Sequence, residues 1–160
     1  MFTIRPTTSD DLASVDALLA RAYPRLLKPD YPPSVLVTAL PIIARANPAL
    51  LGCGTYYLVL SAEGDLLGAG GWTRDREKAE RGHVRHVVTD DRAVRRGVGR
   101  ALIGHVLDTA RAAGVTEMEC WSTLTAVPFY ERLGFRGVGP VDAPLAPGIN
   151  FPSERMLQTL

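Results

Sequence analysis

The sequence predicts an α+β fold, a mixed sheet with helices on both faces, and three observations predict it. Short runs rich in aromatic and β-branched residues are interleaved with stretches of helical apolar spacing. Glu63-Gly64-Asp65 supplies a hairpin turn between two of the strand segments. One strand, ending Val87-Val88-Thr89, passes through a basic glycine-containing turn into the longest helical segment. A chain of 160 residues, 46% of them apolar, suits one domain over 1–160 with a buried core.

Taken in order, Phe2 to Arg5 alternates as a short strand and stops at Pro6. Thr8, Ser9 and Asp10 offer N-caps to a helix whose apolar residues are Leu12, Val15, Leu18 and Leu19. Pro24, Pro29, Pro32 and Pro33 predict a loop over 24–34, followed by a helix over 34–46 in which Pro41 threatens a kink. Thr55–Leu60 and Leu66–Thr73 read as paired strands, and 74–82 as a polar loop. His83–Thr89 is a further strand. The helix over 97–113 carries Val98, Leu102, Val106 and Ala110 at intervals of four and ends at Gly114. Val115–Ser122 is a strand, Ala126–Leu133 a short helix, and Phe135–Val141 a strand. A Pro-rich stretch over 142–153 precedes a closing strand, Glu154–Thr159.

Composition narrows the function. Lys+Arg number 18 against 17 Asp+Glu, a net charge of +1, which argues against a nucleic-acid partner that needs many phosphate-neutralising cations. No apolar run approaches the ~18–20 residues that span a bilayer, so no membrane partner is expected. Met1 to Thr7 lacks the basic start and apolar middle of a signal peptide, which points to the cytoplasm. Cys53 and Cys120 stand far apart with no Cys or His at ligand spacing, so neither a disulfide framework nor a metal site is expected.

Charge concentrates locally. Arg92, Arg95, Arg96 and Arg100 fall within nine residues, around Gly97-Val98-Gly99. The first turn of a helix leaves backbone N–H groups unpartnered and carries the positive end of the macrodipole. Glycines let a pyrophosphate rest on those amides, and arginines add charge-assisted hydrogen bonds. A Walker loop would need Lys-Ser or Lys-Thr after the last glycine, and Arg100-Ala101 stands there. A dinucleotide fingerprint would need a third glycine, and Leu102 holds that place.

The segment Arg95-Arg96-Gly97-Val98-Gly99 instead resembles motif A of the GNAT acetyltransferases, with Val94 where that motif begins on Gln or Arg. Ala126-Val127-Pro128-Phe129-Tyr130-Glu131-Arg132-Leu133-Gly134-Phe135 resembles their motif B, one helix and one strand downstream. Ile4-Arg5-Pro6, Leu67-Gly68-Ala69-Gly70-Gly71 and Arg85-His86-Val87-Val88-Thr89 are similar to the opening, third and fourth strands of the same family. The resemblance implies the GNAT fold, a mixed but mostly antiparallel sheet of about seven strands flanked by about four helices.

It also implies an activity: transfer of an acetyl group from acetyl-CoA, as co-substrate, to a primary amine of a small molecule or peptide. The attack is direct, within a ternary complex. By position, Val87, Val88 and Thr89 would hold the pantetheine as an added strand would be held. Arg95, Arg96, Gly97, Val98, Gly99, Arg100 and Ala101 would hold the pyrophosphate. A fourth-strand amide would face the thioester carbonyl and stabilise its oxyanion. Thr125 stands where relatives often place an Asn that contacts the cofactor.

Tyr130 occupies the family's general-acid position and would also touch the cofactor. A lysine-like amine must lose a proton at pH 7, a deficit of about 4.6 kcal/mol, so a base is required. Glu119, in register with a Glu that serves some relatives, His86 on the fourth strand and a water chain all stand as candidates. Tyr23, Tyr31, Tyr57 and Trp72, with Asp30, Asp75, Glu77 and Glu80, are expected on the acceptor side, where the acids would attract a cation. A homodimer through the C-terminal strands is common in relatives and is carried as an expectation. Two other readings stay open: a catalytically silent acyl-CoA-binding sensor or partner module, and an acyltransferase for longer chains.

Overall fold

The computed structural model describes all 160 residues. Its seven strands form one sheet in the order β1-β2-β3-β4-β5-β7-β6. They are β1 (Thr3–Pro6), β2 (Tyr56–Leu60), β3 (Leu66–Arg74), β4 (Arg81–Thr89), β5 (Glu117–Thr123), β6 (Arg136–Ala146) and β7 (Ile149–Thr159). Every pairing is antiparallel except β4 with β5. Five helices cover the faces: α1 (Leu12–Leu27), α2 (Pro33–Ile43), α3 (Pro48–Leu51), α4 (Val98–Ala112) and α5 (Val127–Arg132). No helix is long and apolar enough to cross a membrane.

Each face has its own core. On one, α4 buries Leu102, Ile103, Val106 and Ala110 completely against Val59, Met118 and Met156. Each such aliphatic side chain contributes about 1.5–3 kcal/mol, so an Asp at position 106 would break this layer. The helix ends in a Schellman turn, with Val115 N–H donating to the Ala110 carbonyl and Gly114 N–H to that of Arg111. On the other face α1 and α2 pack Val15, Leu18, Leu19, Ala22, Leu36 and Ala39 against Tyr56, Leu58 and Val88.

Three local expectations are corrected. The loop expected over 24–34 begins later, because α1 runs through Pro24 to Leu27. Pro24 removes one N–H, but Tyr23 and Leu27 continue the buried stripe of Val15, Leu18, Leu19 and Ala22, and that burial carries the helix onward. The helix expected over 34–46 covers Pro33–Ile43, and α3 follows as a separate turn capped by the Asn47 side chain on Ala49 N–H. The Pro-rich stretch over 142–153 is mostly strand: β6 and β7 form one long hairpin. Pro140 and Pro144 lie on the edge strand β6, and Pro152 lies past the last β7 residue paired with β5, Ser153. Prolines are tolerated at such positions because a ladder partner is already missing there.

Two irregularities position the functional site. The parallel pairing of β4 with β5 holds for only three residue pairs, Arg81 with Glu117, Gly82 with Met118 and His83 with Glu119. From Val84 onward the two strands diverge. One strand over, His86 and Val87 of β4 together oppose the single residue Gly70 of β3, a bulge in which His86 takes a left-handed φ of 49°. A Cβ on Gly70 would lie 2.8 Å from Val87 Cγ2 and 3.2 Å from Val87 Cα, so only glycine admits this close approach.

Candidate active site

Where β4 and β5 diverge, a cavity of about 500 Å³ opens. Val84, His86, Val87, Val88 and Thr89 line one wall and Cys120, Trp121, Ser122 and Thr123 the other. Because Val84–Thr89 have no partner on the β5 side, that edge of β4 can accept an added extended chain. Tyr23, from α1, donates its hydroxyl to the Val87 carbonyl at 2.8 Å and closes one end.

The other end is the start of α4. Gly97 caps the helix with φ 81° and Arg95 has φ 70°, both in the left-handed region. For a residue with a Cβ such as Arg95 that conformation costs on the order of 1–2 kcal/mol. The amides of Gly97, Val98, Gly99 and Arg100 have no backbone acceptor; the first α4-type bond into this turn is Ala101 N–H to the Gly97 carbonyl, 3.0 Å. A Cβ at Gly97 would meet nothing within 4 Å, so the space beside the Gly97 Cα is open. Arg95, Gly97, Val98, Gly99 and Arg100 line the cavity. No carboxylate lies within ion-pair distance of Arg95, Arg96 or Arg100. Unpartnered amides, a helix N-terminus and uncommitted guanidiniums together fit a diphosphate.

A buried Thr125 Oγ1, without any hydrogen-bond partner in the protein, also lines this cavity and fits a ligand's polar group. Arg96 and Ala101 do not line it. Arg96 faces a second cavity beside Arg21, Asp90 and Arg92, while Ala101 faces a separate hollow with Gly97, Arg100, His105 and Asp108.

A clamp that sequence reasoning passed over holds the turn in place. Asp90 accepts from the Arg92 backbone N–H at 2.8 Å and from the Arg92 guanidinium, and Arg21 of α1 donates to it at 2.7 Å. These guanidiniums, Arg92 foremost, draw the Asp90 pKa down to about 2. The Asp-x-Arg turn itself was a visible signal, since an Asp side chain capping the N–H two residues on is local chemistry. Arg21, 69 residues away, was not.

Tyr130 is buried in a nest of Phe129 and Phe135, with ring centroids at 5.0 and 5.4 Å, and lines the cavity beside Cys120. Burial, then the neighbouring Cys120, pushes its pKa well above the phenol range, so the hydroxyl keeps its proton. Burial likewise raises the Cys120 thiol to about 12, which leaves it inert as a nucleophile near neutral pH.

The two base candidates occupy different surroundings. Glu119 is 4% exposed; it accepts from the Arg155 guanidinium and lies 3.0 Å from His83 Nδ1, whose Nε2 is 2.7 Å from Asp75. It lines neither the cleft nor another, wider cavity. His86 lines both. Its Nε2 donates to the Ile43 carbonyl at 2.7 Å, and burial lowers its pKa, so the ring is neutral with Nδ1 as a free acceptor.

The wider cavity, about 910 Å³, is bounded by Ile43, Asn47, Asp75, Arg85, His86 and Leu145 among others. All four aromatics expected on the acceptor side are buried; Tyr23 lines the cleft, and the other three line neither cavity. Tyr31 stacks on Phe151 at 4.5 Å, Tyr57 meets His105 edge-on, and Trp72 Nε1 donates to Thr109. Asp75 and Glu77 do reach this cavity; Asp30 and Glu80 do not.

A family model described as an acetyltransferase (GNAT) domain matches residues 43–143. A 55-residue stretch is 38% identical to the glucosamine 6-phosphate N-acetyltransferase of Trypanosoma brucei brucei, covering 34% of this chain and 37% of that protein. The whole chain shares its fold with several solved structures. A GCN5-related N-acetyltransferase from Rhodopseudomonas palustris superposes at TM-score 0.79 with 18% identity, over 99% of this chain and 95% of that one. The PaiA N-acetyltransferase of Thermoplasma acidophilum, in complex with coenzyme A, superposes at TM-score 0.77 with 12% identity, over 100% and 99% of the two chains. The N-acetylglutamate synthase of Neisseria gonorrhoeae, bound to coenzyme A and N-acetyl-glutamate, gives TM-score 0.65 with 21% identity, over 100% of this chain and 35% of that one. The matched region thus spans little more than a third of the glucosamine 6-phosphate relative and of the synthase.

Proposed function

Because the chain belongs to the GNAT acetyltransferase family, we propose that it is an acetyl-CoA-dependent N-acetyltransferase acting on a primary amine, with His86 as general base and Tyr130 as general acid. The observation that carries this reading is the place of His86. It is the one residue common to the walls of the β4/β5 cleft and of the wider cavity.

Acetyl-CoA supplies a thioester whose acetyl carbon the amine nitrogen attacks; the C–N bond forms, the C–S bond breaks, and one proton passes from amine to thiol. The chain's residues serve each part. The amides of Gly97 to Arg100, with Arg95 and Arg100, bind the diphosphate, and Thr125 Oγ1 supplies a further hydrogen bond. The free edge of β4 over Val87 to Thr89 aligns the pantetheine arm. His86 Nδ1 accepts the amine proton. Tyr130, protonated and apolar-walled, holds the proton destined for sulfur. Cys120, with its raised pKa, takes no acyl group, which supports direct attack over a covalent carrier.

The test has two stages. Calorimetric titration of the folded protein with CoA and acetyl-CoA should show saturable binding. CoA release from acetyl-CoA, followed by thiol titration, should then accelerate with a subset of amines in a panel. Binding without acceleration by any amine would favour the silent sensor; no binding would remove the cofactor assignment.

A further inference from the structure

The wider cavity contains a guanidinium, that of Arg85, which forms no ion pair within the protein. Arg85, on β4 immediately before His86, donates Nε–H to Thr73 Oγ1 at 2.8 Å, and both terminal nitrogens of its guanidinium have no partner in the protein. The guanidinium is open to solvent yet walled in, and desolvation by those walls lowers its pKa.

Most of the other charged side chains on this cavity are engaged within the protein. Arg45 pairs with Asp16 at 3.2 Å. Arg74 donates to the carbonyls of Ala79 and Ala113 and lies over the Trp72 ring. Asp75 is held by His83 Nε2 at 2.7 Å and by the amides of Glu77 and Lys78. Glu119, behind His83, is committed to Arg155 and to His83 itself. Arg76 and Glu77, adjacent on the exposed β3–β4 loop, carry opposite signs without forming an ion pair, and Arg76 adds a second positive charge near Arg85. Asp75 and Glu119 act on Arg85 through space, but neither lies within ion-pair distance.

We infer that the acceptor amine carries an anionic group, a carboxylate or a phosphate, which docks on the two free Nη atoms of Arg85 and thereby directs the amine to His86. A guanidinium presents parallel N–H donors that match either oxyanion in bidentate fashion. This proposal departs from the sequence expectation that acidic residues would draw in a cation, because the Asp75 carboxylate is already engaged by His83 and two backbone amides. This inference rests on the acetyltransferase reading and names its substrate class.

Calorimetry on CoA-loaded protein, which requires no turnover, tests it with two matched pairs of probes. Glucosamine 6-phosphate is compared with glucosamine, and β-alanine with β-alaninamide. We expect at least one anionic probe to bind tenfold or more tightly than its partner, and Arg85→Gln to erase that ratio without changing CoA affinity. Preference confined to the phosphate pair assigns a phosphate, and preference confined to the other pair a carboxylate. Ratios near one in both pairs, no binding by either anionic probe, or a ratio that survives Arg85→Gln would each overturn the inference while leaving CoA binding intact. Failure of the acetyltransferase reading would show separately, as a protein that cannot be loaded with CoA.

Discussion

His86 and Ile43 are joined by a 2.7 Å hydrogen bond in which the imidazole Nε2–H donates and the carbonyl accepts. A carbonyl oxygen cannot donate, so this contact fixes the tautomer and leaves the Nδ1 lone pair free. Burial, opposed in part by the Ile43 bond, sets the ring's pKa below the ordinary histidine value of about 6.5. Turnover should therefore be flat through neutral pH and fall as pH drops below that value, when the ring gains a proton. His86→Gln should reduce kcat by about 10²–10⁴ and remove the acidic limb of the profile. The same sign applies to stability: the neutral ring favours the fold above about pH 6.5, and that contribution is lost as pH falls. Glu119→Gln is the contrasting variant. It should lower the melting temperature, since Arg155 and His83 lose their buried partner, and leave the acidic limb in place. Loss of the limb in Glu119→Gln instead would move the base role to that carboxylate.

Tyr130→Phe keeps the ring that packs against Phe129 and Phe135 and removes only the hydroxyl. CoA affinity, measured by calorimetry, should change less than about threefold, whereas kcat should fall by about 10²-fold, the low end for a lost proton donor. Unchanged kcat would show that solvent protonates the leaving thiolate.

Gly97 separates backbone strain from charge. With φ 81° and no atom within 4 Å of where a methyl group would stand, Gly97→Ala meets no clash and should cost about 1 kcal/mol through backbone conformation. Gly97→Glu adds a carboxylate over the free amides and should abolish CoA binding beyond that cost. Equal CoA affinities in the two variants would place the diphosphate elsewhere.

Asp90 gives an acid-stability signature. Its pKa of about 2 lies below the unfolded value near 3.8, so its stabilising contribution is complete above about pH 4 and is lost as pH falls from there through 2. Asp90→Asn should lower stability at pH 7 by on the order of 1–2 kcal/mol and flatten that part of the pH dependence in chemical denaturation. Because Asp90 ties α1 to the turn before α4, the same variant should also weaken CoA binding.

The legible parts of the site were those written in contiguous residues. The start of α4 announces itself because helix termini and glycine turns act over a few residues, and the strand before it completes the unit. Tyr130, which lines the cleft, stands in a motif of ten adjacent residues. Placement across segments was not legible. Glu119 on its strand offered no sign that Arg155, 36 residues on, and His83, 36 residues back, would claim its carboxylate. Arg85 read as an ordinary strand arginine until the β3–β4 loop, α2 and the β6–β7 hairpin were folded around it. The extent of α1 and of β6 was missed for a different reason: proline rules describe the backbone's preference, while burial of Leu27 and edge position of Pro144 decided the outcome.

The bulge at His86 puts one side chain on the walls of two cavities. Under the proposed function donor and acceptor would occupy these two cavities, each with its own entrance, and the departing thiol and the new amide need not pass each other on the way out. An enzyme arranged in this way can enlarge or reshape one entrance over evolutionary time without disturbing the other.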